Sequence, residues 1–363
     1  MNINSLLLYC AFSHLLCYCI CHSFPSKQRL LELITEAKVG VNIKHIIPIE
    51  VGVPPQTLNV KLSTAICGIW LYDKDIFSSG FDSHKSSTFS STSTWYSIDK
   101  VIGYMSYDKI KIGNTIEEIP FLLATKRNDN LTRFNYDGLI GLGYKCNGEH
   151  TMNVDLIEKY TEKDVNKQKI FYYDINLQKR TGFFAIGFMS NSIDTSSRLY
   201  RQMRINKENQ NGHWEVQLHS FFFDSNMIYT DSPLSIGIGG NIMSVPSKVF
   251  TILIKNIFQK FIDKNICELY IGEVREIYCN EDFDTHIVDY FGFIVGKWHF
   301  KIYPEYMFSE VEKNGKKMKW FKVAHHPLYN QWYISQNLFG NSILLFDKEK
   351  AIIGCYQREN NHK

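Results

Sequence analysis

The sequence predicts a mostly-β protein built as two lobes. Short apolar runs recur along it, separated by clusters of Gly, Asn and Asp that end strands. Helical periodicity is confined to VDLIEKY and PSKVFTILIKNIFQKFI, too little for a helical or α/β fold. The length of 363 residues is enough for two packed cores of ordinary domain size. A loose internal echo supports the division. Near Leu62 an apolar strand enters a tight turn followed by Trp70, and near Ile236 another enters a Gly-rich turn followed by SVP and a helix.

From Ser5 to Ile20 the chain is apolar and uncharged. Such a run suits the core of a signal peptide better than a membrane span, which needs roughly 20 residues. Residues 1–22 are therefore expected to be a signal peptide routing the protein to the secretory pathway or outside the cell. An uncleaved anchor is the alternative, because the MNIN start lacks Lys and Arg. Residues 23–40 form a short polar leader with one helical apolar patch.

Residues 41–178 are assigned to the N-terminal lobe and 179–363 to the C-terminal lobe. In the first, IIPIEVGVPP and LNVKLST are strands joined at Pro54-Pro55, since a proline pair ends a ladder and forces a turn. SHKSSTFSSTST is a solvated loop with strand edges, and KIKIG, IPFLLAT and GLIGLG continue as strands. FYYDINLQ and FFAIGF are expected as buried strands connecting the halves. KNGKKMK is a surface hairpin turn.

A hydrophobic content of 44% with 14% aromatics describes a globular chain, and a net charge of +3 gives no reason to expect nucleic acid or an anionic membrane as partner. Of nine cysteines, Cys67, Cys146, Cys267, Cys279 and Cys355 lie beyond the leader. One or two disulfides are expected in an oxidising compartment, with at least one thiol left over. Cys279 with Cys267 or Cys355 is the favoured pair, and five reduced, packed thiols are the alternative. Asn130-Leu131-Thr132 is a glycosylation sequon, and His325-His326 reads as a solvated loop pair rather than a metal site. No metal or cofactor is expected.

Five motifs, in order, are more specific. VGVPPQTLNVKL leads into Ser63-Thr64-Ala65-Ile66-Cys67, with Trp70 following. HKSSTFSS precedes Tyr96, and Tyr136-Asp137-Gly138-Leu139-Ile140-Gly141-Leu142-Gly143 comes later. His213-Trp214-Glu215-Val216 precedes Gly237-Ile238-Gly239-Gly240-Asn241, which is anchored by Met243-Ser244-Val245-Pro246. WYISQNLFGNSILLFDKEKAIIG closes the series. In this order the segments resemble the pepsin-like aspartic proteases over nearly the whole chain after the leader. The resemblance implies the bilobal pepsin-like (acid protease) fold: two similar β-barrel-like lobes with a cleft between them.

The family's chemistry needs two carboxylates near enough to share one proton, so that one acts as base toward water while the other donates. The resemblance puts Ser63 and Gly237 at the two aspartate positions, and the residues around them have drifted to Ala65, Ile66, Ile238, Gly240, Asn241 and Ser335. It therefore implies a catalytically inactive, monomeric relative that binds a peptide or protein in the relict cleft. Tyr96, at the flap tyrosine position, and Trp70, its usual hydrogen-bond partner, are the expected binding residues. Ser63 is read as a turn residue and Cys67 as a small buried filler. An active endopeptidase is the first alternative, with Asp231-Ser232-Pro233-Leu234-Ser235 as a displaced loop supplying one carboxylate. A structural or surface protein retaining only the fold is the second.

Overall fold

The computed structural model describes residues 39–358 except 43, 99–100, 128–134, 147–153, 163, 165–166, 177–180, 190–192, 207–211 and 328–329. The expected signal peptide, nearly all of the leader and the Asn130 sequon lie outside the described residues. The protein is mostly β, and its strands fall into three sheets.

The first sheet belongs to the N-terminal part. Its order is Ile46–Val51, Gln56–Ser63, Gly138–Leu142, Cys67–Tyr72, Thr115–Arg127, Val101–Ile112 and Ser90–Ile98. Pairing of Glu50 with Lys111 and Val51 with Ile110 closes six of these strands into a barrel. Alternation of side chains puts Ile47, Ile49, Val51, Leu58, Val60 and Leu62 inside, each no more than 2% exposed. Gly103 marks a register shift where the long hairpin crosses the barrel edge. A Cβ there would lie 1.9 Å from the Leu123 carbonyl oxygen, so only glycine fits.

The second sheet is ten-stranded and lies wholly in the C-terminal part. It carries the expected hairpin at KNGKKMK: Phe308–Lys313 and Lys316–His325 are joined through Asn314 and Gly315, both at positive φ, as a two-residue turn of this twist requires. His325 ends its strand buried, with Nδ1 3.2 Å from the Val245 carbonyl. The expectation of a solvated His325-His326 loop is thereby corrected for His325, because the strand runs on into the core. The helix expected after Pro246 is present as Ser247–Leu253, a wider π turn at Ile254–Phe258, and Gln259–Ile262.

The third sheet mixes distant segments in the order Val39–Asn42, Thr181–Ile186, Ile170–Asn176, Ser342–Asp347, Ile352–Gln357, Tyr200–Arg204. The expected lobe boundary at 178 falls between two paired strands of this sheet. Trp214, 1% exposed, pins the three sheets together. Its Nε1 donates to the Leu142 carbonyl at 2.7 Å, and its ring packs edge-on against Phe171 and Phe346 of the shared sheet.

Candidate functional site

Each of the first two sheets contains the same device. In the barrel, Gln56–Ser63 runs parallel to Gly138–Leu142, with Ser63 opposite Gly141, and the returning strand sets Gly68 antiparallel to the same Gly141. In the second sheet, Asn226–Gly237 runs parallel to Trp332–Ser335, with Gly237 opposite Ser335. There the returning chain puts Ile242 against Ser335, whose N–H donates to the Ile242 carbonyl at 3.2 Å. The loops Ser63–Gly68 and Gly237–Ile242 thus have equal length. Ser63 and Gly237 are equivalent by topology as well as by motif.

The loop tips meet. Thr64 N donates to the Ile238 carbonyl at 3.4 Å, and Ile238 N donates to Thr64 Oγ1 at 2.9 Å. Only one of the two loops supplies a hydroxyl, because Ile238 has none. Gly239, at φ +106°, lets its backbone approach the opposite loop: a Cβ there would lie 2.7 Å from the Leu62 carbonyl oxygen. The Ser63 hydroxyl accepts from Ala65 N at 3.2 Å, the bond of a turn residue.

Beside Gly237 the space is filled by Tyr333. A Cβ on Gly237 would lie 2.6 Å from the Tyr333 ring, 2.8 Å from its hydroxyl and 3.0 Å from Thr64 Oγ1. Burial pushes the Tyr333 phenol up to about 12, only partly offset by the neighbouring Ser335 side chain and Gly240 backbone. At neutral pH it is an uncharged hydrogen-bonding group.

Beneath the loops lies a buried polar cluster that sequence reasoning missed. His45, 1% exposed, has Nδ1 2.5 Å from the Tyr173 hydroxyl and Nε2 3.2 Å from the Gly240 carbonyl. Its own carbonyl accepts from Leu62 N at 2.8 Å. Asn337 Nδ2 stands 3.4 Å from His45 Nε2 and donates to Asn241 Oδ1 at 2.6 Å. Ser335 Oγ also donates to the Gly240 carbonyl. Burial and nearby Lys61 lower the His45 pKa to about 4, so the ring is neutral. The partners then assign the tautomer: Nε2–H faces the carbonyl, and Nδ1 accepts from the tyrosine. The cluster draws on residues 45, 173, 240, 241, 335 and 337, and no local pattern links them.

The hairpin of Ser90–Ile98 and Val101–Ile112 brings Tyr96 opposite Gly103 and leaves it 38% exposed. Beside it Trp95, 47% exposed, lies on Tyr104 with ring centroids 4.0 Å apart. The hydrogen bond expected from Trp70 to Tyr96 is not formed. The Trp70 indole is buried among Tyr72 and Tyr136, at 5.0 and 6.2 Å, and its Nε1 has no partner among the described residues.

Two further expectations change. Cys67 is no isolated filler: it is disulfide-bonded to Cys146, fastening the first loop to the chain that follows Gly138–Leu142. The second disulfide is Cys267–Cys279, one of the two pairings expected for Cys279. Among the described residues Cys355 is the free thiol, buried and pushed up to about 12 by that burial. Asp231 does not form a displaced loop. Its side chain is 79% exposed on the strand leading to Gly237, where Gln217 and His219 hold the carboxyl below its usual range.

The described residues contain no cluster of three or more His, Cys, Asp or Glu able to hold a metal. A comparison with family models matches residues 44–357 to the one described as eukaryotic aspartyl protease. That span takes in both loops, the hairpin and the shared sheet apart from its edge strand Val39–Asn42.

Proposed function

Because the chain belongs to the eukaryotic aspartyl protease family, we propose that it is a non-catalytic member that holds an extended peptide or protein segment in the cleft between its lobes. The observation that carries this is the pair of equivalent positions Ser63 and Gly237. A serine hydroxyl is far too weak an acid to act as the base of a carboxylate dyad, and glycine supplies nothing. General acid–base help is worth about 10²–10⁴-fold per step, and neither loop offers the group to give it. Tyr333 occupies the volume that a side chain at 237 would use, which supports loss of the dyad as a settled feature of the packing.

The binding half of the reading is supported by what remains around the loops. The hairpin carrying Trp95 and Tyr96 presents exposed aromatic surface. Aromatic side chains and backbone edges are what strand-like peptide recognition uses. The two disulfides suit an oxidising compartment, in keeping with a secretory or extracellular setting.

A peptide-library cleavage assay across acidic pH, with and without a transition-state-mimicking inhibitor, tests the first half. No turnover is expected, and inhibitor-sensitive cleavage would overturn it. Capture of extended peptides by the intact protein and by Tyr96→Ala tests the second. Loss of capture in the variant is expected, and unchanged capture would remove the cleft from the account.

A further inference from the structure

We propose that a cavity over Ser235 is a specificity pocket for a cationic side chain, arginine or lysine, with Glu215 as the counter-ion. The identity of the occupant as part of a peptide rests on the reading above, whereas the chemistry of the pocket stands on its own geometry.

The cavity measures about 230 Å³ and is bounded by Glu215, Ser232, Pro233, Ser235, Gln331 and the Pro246 turn. Its place follows from strand register. Tyr333 and Glu215 are the two neighbours paired with Ser235 on adjacent strands. Side chains alternate across a strand, so Pro233, Ser235 and Gly237 share one face, and the paired Tyr333 and Glu215 share it with them. Leu234, Ile236 and Ile334 turn the other way into the core, where each is at most 1% exposed. The cavity therefore begins one side-chain row, about 7 Å, from Gly237 on the face that meets the paired loops.

The acid in its wall is under-partnered. Glu215 is 5% exposed, and among the described residues its carboxylate forms no ion pair and one long hydrogen bond, 3.5 Å from Ser235 Oγ. His213 stands 3.4 Å from the same hydroxyl, but burial lowers its pKa against the pull of Glu215, so it brings no positive charge at neutral pH. A mostly buried carboxylate without a cationic partner is costly, and a cation entering the cavity offsets part of that cost, less the hydration it gives up itself. Ser235 and Gln331 add oxygen acceptors around the same space, while Pro233 and Pro246 offer apolar wall for an aliphatic stem. An anionic, acceptor-rich cavity of this size suits an ammonium or guanidinium head and repels a carboxylate or phosphate.

The test uses small probes first, so that it does not depend on peptide binding. Ethylguanidinium, n-butylammonium and uncharged n-butanol are titrated by calorimetry into the full chain and into Glu215→Gln, with thermal unfolding confirming that the variant is folded. Saturable binding of one or both cations and none of butanol is expected, and the cation that binds tells arginine from lysine. Affinity should fall about 10–100-fold in Glu215→Gln, the range for a charge-assisted contact. Peptides are then compared with a single Arg or Lys exchanged for Gln. Discrimination should be about tenfold or more in the native chain and lost in Glu215→Gln. Equal binding of cation and butanol, or no effect of Glu215→Gln on the cations, overturns the pocket. Peptides that bind without preferring Arg or Lys also overturn it, and leave the peptide-binding reading standing. Glu215-dependent cation binding with no peptide binding upholds the pocket and sinks that reading instead.

Discussion

Tyr333 and Gly237 are complementary: the phenol of one fills the side-chain volume absent from the other, and a Cβ at 237 would sit 2.6 Å from the ring. Substituting one without the other should therefore be worse than changing both. Gly237→Ala is expected to cost about 1–3 kcal/mol, the range for overpacking a well-filled site. Tyr333→Val should relieve most of that cost in the double variant, giving a favourable coupling in a double-mutant cycle. Denaturant unfolding of the four proteins reads it. A neutral Gly237→Ala would show that the ring moves aside freely.

His45 makes stability depend on pH. Unfolded, its imidazole takes up a proton below about 6.5; folded, it stays neutral until about 4. Between those values the unfolded state binds the extra proton, so stability falls as pH falls through this window and levels off below it. The shift corresponds to about 3 kcal/mol at most. His45→Gln should flatten this part of the pH–stability curve at some cost at neutral pH. An unchanged slope between pH 6.5 and 4 would assign the acid sensitivity to other groups.

The Thr64–Ile238 contact joins the loops through one hydroxyl. Thr64→Val keeps the shape and leaves the Ile238 N–H without its acceptor, which should cost about 1–3 kcal/mol. Hydrogen exchange at the Ile238 amide should accelerate with it. Protection equal to that of the native chain would mean that another acceptor serves.

The two disulfides should not contribute equally. Cys67–Cys146 spans 79 residues and Cys267–Cys279 spans 12. The loop-entropy relation gives about 4.5 kcal/mol for the first and about 3 for the second. Cys67→Ser with Cys146→Ser should therefore lower the unfolding midpoint more than Cys267→Ser with Cys279→Ser. The reverse order would place the main effect in the native state.

Much of the site was legible because its markers are local. Ser63 is fixed by flanking motifs on both sides, and Gly237 by Met243-Ser244-Val245-Pro246; strand register then sets them opposite Gly141 and Ser335. The Asn314-Gly315 hairpin was legible for the same reason, since a two-residue turn declares itself in sequence. Tyr333 and His45 were not. Each matters through neighbours far along the chain, and a lone tyrosine in an apolar strand, or a histidine just before one, looks like ordinary core. Cys146 was equally silent as the partner of Cys67, because no spacing rule connects cysteines so distant. The Trp70 indole misled for a further reason: its position matches the motif, but its orientation depends on Tyr72 and Tyr136.

The shared sheet has a consequence for how the molecule is made. Its central strands Ile170–Asn176 and Ser342–Asp347 lie side by side, and the outer strand Tyr200–Arg204 is reached only through Ile352–Gln357. During vectorial synthesis the barrel can close once residue 142 has emerged, since every strand it needs is by then present. The shared sheet cannot, because Ser342–Asp347 and Ile352–Gln357 are translated well after Ile170–Asn176. For that interval Ile170–Asn176, with Tyr172 and Tyr173 at most 1% exposed in the finished fold, has an open edge and uncovered aromatics. Until Ser342–Asp347 arrives, that edge is therefore the place where mispairing with another chain is expected to start.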